Sequence, residues 1–214
     1  MRVIDLGLSR YVEALEVQRR VHEEVAQDPS REAIIVTEHY PVYTIGKSGS
    51  VKNIVNLEAA MREGIEIVEI DRGGDIFYHG PGQLVVYPII ALKQHGLDVW
   101  GYVRLLEEAM IKTIGEFGIR AGRLEGYPGV WVGRKKIGAI GLRVRSGVAM
   151  HGLALNVNTN LRHFDYIVAC GLHGMGVTSM ERELGYRLDM EEVKRILLRY
   201  IASLLGVKLV EAED

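Results

Sequence analysis

Three glycine-rich stretches hold side chains able to do chemistry: Arg72-Gly-Gly-Asp-Ile-Phe-Tyr-His-Gly-Pro-Gly-Gln83, Lys136-Ile-Gly-Ala-Ile-Gly-Leu-Arg143 and Cys170-Gly-Leu-His-Gly-Met-Gly-Val-Thr178. Without a Cβ, glycine lets the backbone turn sharply or approach a ligand closely. Tight turns in a β-rich fold would account for one such stretch. Three of them, each with a potential catalytic group, point to a site. Cys170 is the only cysteine. Its thiolate would be the nucleophile, and at a pKa of about 8.5 only a small fraction is ionised at neutral pH. Catalysis therefore needs a neighbour that stabilises negative charge. The amides of Gly171, Gly174 and Gly176 could also line an oxyanion site. A lone cysteine is otherwise commonly an inert buried residue.

That neighbour could be a histidine or a lysine. His79 and His151 each precede a glycine, and a Cys–His pair is a familiar way to activate a thiol. Lys136 opens a strand-like run; its ammonium would stabilise the thiolate and its neutral amine could accept and return protons. Lowering the thiol pKa from about 8.5 to about 7 takes roughly 2 kcal/mol, which one partly desolvated cation in contact can supply. Spacing alone does not choose between them. Other motifs fail. Gly46-Lys47-Ser48 ends like a phosphate loop, but Pro41 stands where the pattern needs glycine. Gly171-x-x-Gly174-x-Gly176 is not a dinucleotide fingerprint, and the 7 histidines show no metal-ligand spacing. Neither cofactor nor metal is expected, and His22 reads as a packed histidine.

The elements that must position these groups follow from hydrophobic spacing. After Ser9, a good N-cap, Tyr11, Ala14, Leu15, Val21 and Val25 recur opposite Glu13, Glu16, Arg20 and Glu23. This predicts an amphipathic helix ending before Asp28-Pro29. Strands are predicted at 33–37, 42–45 and 64–70, and a polar glycine-rich stretch at 71–83 is followed by a strand at 84–92. A second helix runs from about Val99 to Phe117, with Tyr102, Val103, Leu106, Met110, Ile114 and Phe117 on one face. Strand-like segments follow at 129–132, 136–144 and 148–156. Thr178-x-x-Glu181 and Asp189-x-x-Glu192 read as capping boxes. The last helix turns Val193, Ile196, Leu197, Tyr200, Ile201 and Leu204 inward. Hairpin-spaced strands among helices predict an α+β fold with a mixed, largely antiparallel sheet flanked by helices, without strict βαβ alternation. With no linker or repeat, residues 1–214 are expected to form one domain.

The 214 residues carry a net charge of −2, with 48% hydrophobic and 25% charged. That is an ordinary globular balance, without the basic domain of a nucleic-acid binder. The longest apolar run, 84–92, is too short for a membrane span and contains Pro88. Met1-Arg-Val-Ile-Asp-Leu-Gly7 lacks the apolar stretch of a signal peptide, and a single cysteine makes no intramolecular disulfide. A cytoplasmic protein with a reduced thiol is expected.

Taken in order, six segments resemble the lipoyl(octanoyl) transferase family: Glu38-His-Tyr-Pro-Val-Tyr-Thr-Ile-Gly46, Arg72 to Gln83, Gly129-Val-Trp131, Lys136-Ile-Gly-Ala-Ile-Gly141, His151-Gly-Leu-Ala-Leu-Asn156, and Ala169-Cys-Gly-Leu172 with Val177-Thr-Ser179. The family often has Thr where Phe77 stands, and Pro and Arg where Tyr40 and Lys47 stand. Phe77 bears on the acyl-site lining and hence on chain-length preference. The resemblance implies the fold of the biotin and lipoate protein ligase catalytic domains. It also implies a dyad in which Cys170 accepts the acyl group and Lys136 lowers its pKa, with His79 and His151 as pocket or positioning residues. Substrate contacts would fall on Arg72, Gly73, Gly74, Asp75, Ile76, Phe77, Tyr78 and His79, on Ala139, Ile140 and Gly141, and on Gly152, Leu153 and Ala154.

The implied reaction moves an octanoyl or lipoyl group from acyl carrier protein, through an acyl-cysteine thioester, to a lysine. That lysine lies on a lipoyl domain of a 2-oxoacid dehydrogenase or on the glycine cleavage H protein. The enzyme would act as a monomer, independently of membrane and nucleic acid. Arg134, Lys135, Arg143 and Arg145 crowd around Lys136 in sequence and are candidates for steering an acidic carrier. Three rivals use the same residues differently: an ATP-dependent lipoate or biotin ligase, a non-catalytic acyl-binding module, and a Cys–His hydrolase or amidotransferase.

Overall fold

The computed structural model describes residues 1–168 and 175–211. Cys170, Gly171 and Gly174 lie outside the described residues. In chain order the elements are β1 (Arg2–Ser9), α1 (Tyr11–Gln27), β2 (Ala33–His39), β3 (Val42–Ile45), α2 (Leu57–Arg62), β4 (Glu66–Glu69), β5 (Ile76–His79), β6 (Gln83–Ile89) and α3 (Val99–Glu116). There follow β7 (Gly122–Leu124), β8 (Tyr127–Val132), β9 (Lys135–Arg145), β10 (Val148–Asn156), β11 (Gly176–Val177), α4 (Met180–Leu184), α5 (Met190–Leu205) and β12 (Val210–Glu211).

A nine-stranded sheet runs β12-β1-β2-β6-β10-β9-β8-β7, with β11 alongside β9. The pairs from β2 through β7 are antiparallel, while β1 lies parallel to both β2 and β12, and β11 parallel to β9. A smaller sheet, β4-β3-β5, mixes one parallel and one antiparallel pair. The sheets are mixed and largely antiparallel, as expected.

Helices cover both faces of the large sheet. Tyr102, Leu106, Met110 and Ile114 of α3 and Val193, Leu197 and Ile201 of α5 pack with Ile34, Val86, Ile137 and Leu153. Tyr11, Leu15, Val21 and Val25 of α1 pack with Ile35, Val85, Tyr87 and Met150. With apolar partners on either side, β6 and β10 are buried along their whole length, so they read as near-continuous apolar runs instead of alternating. A third apolar cluster joins the small sheet to α2 through Tyr43, Ile45, Ile54, Ala60, Ile76 and Tyr78. Among the described residues no helix is long and apolar enough to cross a membrane.

Some local expectations are corrected. The first strand, β1, was not anticipated: Asp5 and Gly7 interrupt its alternation. Ser9 ends β1 and is not the cap of α1; its hydroxyl lies 2.8 Å from that of Thr37, and Arg10 takes the cap position. Within the glycine-rich stretch 71–83, Ile76–His79 forms a strand paired with β3. The cap of α4 is Ser179, accepting from Arg182 N, while the Thr178 hydroxyl donates to Glu183. Asp189 does cap α5, through the amide of Glu191. At the other end of α5, Leu205 turns inward and Leu204 is exposed. His22 is buried with Nε2 3.3 Å from Arg145 O, a packed histidine as expected.

Candidate active site

Lys136 sits one residue into β9, flanked by β8, where Trp131 is its register partner, and by β11, where Val177 is. Its carbonyl accepts from Thr178 N at 2.9 Å, which ties the segment after Cys170 to the lysine's own strand. The ammonium lies 4.8 Å from the Trp131 ring centroid, a favourable cation–π position. Burial alone pulls its pKa down to about 8, since desolvation penalises the charged form. The side chain opens on a cavity of about 410 Å³ walled by Phe77, Tyr78, His79, Ala154, Ile167 and Val177, within the usual volume of small-molecule sites. Met175 and Gly176 also line it, so the chain re-enters the cavity wall a few residues after Cys170.

Behind the wall shared by Phe77, His79, Ala139 and Ala154 lies a recess of about 10 Å³, also lined by Tyr11, Arg72, Tyr87, Gly141, His151, Gly152 and Leu153. Arg72 is its hub and is 2% exposed. Its Nη1 donates to Gly73 O and Asp75 O, and its Nη2 to Thr44 O and Thr44 Oγ1, at 2.8–3.0 Å. The guanidinium lies 3.9 Å over the Phe77 ring. Burial lowers its pKa to about 10, and Nε has no partner among the described residues. Glycine is required where the strands press on this side chain: a Cβ on Gly141 would stand 2.9 Å from both Arg72 Cδ and Phe77 Cε2.

Three histidines gather behind the cavity. His79 stacks on Tyr11 at 5.8 Å and meets the edge of His39 at 5.6 Å. His39 Nε2 lies 2.8 Å from the Tyr87 hydroxyl. His151 has a left-handed φ of 60°, a conformation that costs a side-chain-bearing residue energy. It is held there by Gln18, whose Oε1 accepts from its amide at 3.0 Å, and by ring contacts to Tyr11 and Asp71. Burial drives His39 to about 4, His151 to about 3 and His79 well below the usual imidazole range.

Of the residues singled out in the sequence, Ile76, Phe77, Tyr78, His79, Lys136, Ala139 and Ala154 meet at the cavity, and Arg72, Gly141, His151, Gly152 and Leu153 at the recess. Gly73, Gly74, Asp75 and Ile140 line neither. Gly73 N donates to Leu142 O, and the Asp75 carboxylate accepts from Asn53. Of the four basic candidates, Lys135 pairs with Glu183 at 2.7 Å and Arg143 with Asp71, while Arg134 and Arg145 are exposed. Sequence reasoning missed roles for Trp131, Gln83 and Asn156, which sat inside quoted motifs, and for Tyr11, whose helical spacing marked it only as core.

The lipoyl protein ligase A/B catalytic domain profile matches residues 10–202. An octanoyltransferase of Desulfotalea psychrophila is 44% identical over 208 residues, covering 95% of this chain and 93% of that protein. A bipartite lipoate protein ligase from Thermoplasma acidophilum, described with its E2 lipoyl domain, superposes with a TM-score of 0.75 at 18% identity over 99% of this chain and 86% of that one. The biotin protein ligase of Aquifex aeolicus superposes with a TM-score of 0.58 at 13% identity over 96% and 70%. The structural likenesses establish the expected fold. On the profile and the sequence relative together, this chain belongs to the lipoyl protein ligase A/B catalytic domain family.

Proposed function

We propose that the chain is an octanoyltransferase of protein lipoylation, a cytoplasmic monomer that works through a covalent acyl-cysteine. Cys170 takes the octanoyl group from the thioester of acyl carrier protein. A lysine of a lipoyl domain then attacks the enzyme thioester and leaves as the amide. The first half exchanges one thioester for another and the second gains an amide, so no nucleotide is consumed. The relatives named octanoyltransferase support the activity.

The observation that carries the mechanism is Lys136: an amine at about 8 through burial, facing a largely apolar cavity that the chain re-enters just after Cys170. As a cation it stabilises the thiolate; as a neutral amine it takes the proton that the attacking lysine sheds. The apolar walls suit a medium acyl chain, and Phe77, beneath Arg72, bears on how long a chain fits.

Intact-mass measurement tests this reading. Incubation with octanoyl carrier protein and no ATP is expected to add one octanoyl group, removable by hydroxylamine and absent from Cys170→Ser. Transfer that needs ATP and free octanoate, or that persists in Cys170→Ser, overturns it.

A further inference from the structure

Gln83 begins β6 with its side chain buried. Its Nε2 donates to Tyr78 O at 3.1 Å and to Asn156 Oδ1 at 2.9 Å, while its Oε1 lies 2.7 Å from His79 Nδ1. Asn156 donates in turn through Nδ2 to Thr178 O at 3.0 Å. The backbone carbonyls of Tyr78 and Thr178 can only accept, so they fix the direction of both amides. Flipping either one would set oxygen against oxygen inside the protein, where an unmade hydrogen bond is costly. With Oε1 facing it, His79 Nδ1 must carry a proton, so in the neutral ring Nε2 is a bare lone pair. Nε2 has no partner among the described residues, and His79 belongs to the wall of the cavity that Lys136 also lines.

The surroundings keep that lone pair unprotonated. Tyr11 and His39 pack on the ring, and burial, His39, Arg72 and His151 all oppose a positive charge on it. Among the cavity's other polar groups, Gln83 Oε1 and Asn156 Oδ1 already accept hydrogen bonds, the Tyr78 hydroxyl lies 2.6 Å from His163 Nδ1, and Asp165 is exposed to solvent.

We propose that Gln83 and Asn156 are positioning residues that lock His79 as its Nδ1–H tautomer, so that Nε2 accepts a hydrogen bond from the primary amine attacking the acyl thioester. This rests on the acyl-cysteine reading above and assigns His79 to its second half. The lysine Nζ lone pair attacks the thioester carbon, the C–N bond forms, the C–S bond breaks and the sulfur leaves as thiolate. One proton on the attacking nitrogen passes to the neutral amine of Lys136. The N–H that stays gains positive character as the bond forms and points at Nε2, which takes no proton.

Two substitutions separate this role from a structural one. In His79→Asn the amide can still donate to Gln83, but nothing replaces Nε2. In His79→Gln the amide oxygen can reach the Nε2 position, at the cost of the bond to Gln83. Acyl loading is followed by intact mass, and transfer from the loaded enzyme to an apo lipoyl domain is then timed in a single turnover. The ratio of transfer rate to loading rate is expected to fall on the order of 10- to 100-fold in His79→Asn, one hydrogen bond to a developing charge, and to recover several-fold in His79→Gln. An unchanged ratio in His79→Asn, or a lower ratio in His79→Gln than in His79→Asn, overturns the proposal. So does a ¹⁵N spectrum of the wild-type ring with its proton on Nε2, a readout independent of how the variants fold. Failure of wild type to form any acyl adduct is a different result, since it overturns the acyl-cysteine reading before His79 is touched.

Discussion

Arg72 and Lys136 stand on opposite sides of the wall formed by Phe77 and Ala139, each a cation drawn out of water. Arg72 directs its terminal nitrogens to the oxygens of Gly73, Asp75 and Thr44, so its charge is solvated by backbone and it joins β3 to the glycine-rich stretch. Among the described residues Lys136 has the face of Trp131 and no hydrogen-bonding or ion-pair partner for its ammonium, so its charge is poorly solvated. An arginine lowered to about 10 still holds its proton at neutral pH, whereas a lysine lowered to about 8 exchanges one. Burial builds a permanent strut in one place and, on the proposed mechanism, a proton carrier in the other. The difference lies in how many oxygens face the cation.

Replacing each cation by an apolar side chain tests this contrast most severely, because the two should move stability in opposite directions. Lys136→Met is expected to slow acyl transfer by about 10²- to 10⁴-fold, the usual worth of a positioned acid–base group, and to make the protein more stable at neutral pH. The sign follows from linkage. The folded pKa of about 8 lies below lysine's ordinary value of 10.5, so burying the charged amine penalises the fold in full below about pH 8. The penalty fades as pH rises and is gone above the unfolded value. The gain in Lys136→Met should therefore be up to about 3 kcal/mol at pH 7 and shrink between pH 8 and 10.5. Urea midpoints across that range check it. A destabilised Lys136→Met would mean the amine is well solvated after all.

Arg72→Leu should do the reverse. It takes the Arg72 donor from the carbonyls of Gly73 and Thr44 and one of two donors from that of Asp75, which also accepts from Gly46 N, at about 3–5 kcal/mol in total, measurable as a lower urea midpoint with no pH dependence between 6 and 9. A smaller loss is expected from Gly141→Ala, whose Cβ would press on Arg72 and Phe77: about 1–3 kcal/mol of overpacking. Because Phe77 also walls the cavity, that variant should lose more activity with octanoyl than with shorter acyl donors. Equal losses for all chain lengths would separate the strut from the acyl site.

The contrast also marks how far the sequence could be read. Helices α1, α3 and α5 were legible because each buries one stripe. Strands β6 and β10 were legible as apolar runs, since both their faces are covered. The strand Ile76–His79 was hidden among glycines, and β1 was hidden because Asp5 and Gly7 break its pattern. Resemblance, not spacing, favours Lys136 over the histidines. Arg72 could be suspected but not explained, because its partners are backbone oxygens that no side-chain pattern reveals. The amide chain from Gln83 to Asn156 joins positions 73 residues apart, and only the pairing of β6 with β10 brings them together.

The smallest effect concerns exposed cations, where solvent does for charge what backbone does for Arg72. Lys135 and Arg143 spend their charge on Glu183 and Asp71, which leaves Arg134 and Arg145, exposed on either end of β9, as the better candidates for steering an acidic carrier. Arg145→Glu is expected to lower kcat/KM for octanoyl carrier protein by about 3- to 10-fold at low ionic strength, and the deficit should vanish near 0.5 M salt, where screening acts over about 4 Å. A small octanoyl thioester has no acidic surface to steer, so its rate of loading should be the same in Arg145→Glu and wild type. If both donors lose equally, Arg145 acts on the fold of β9 and not on the encounter. If neither donor loses, the carrier approaches from another side of the cavity mouth.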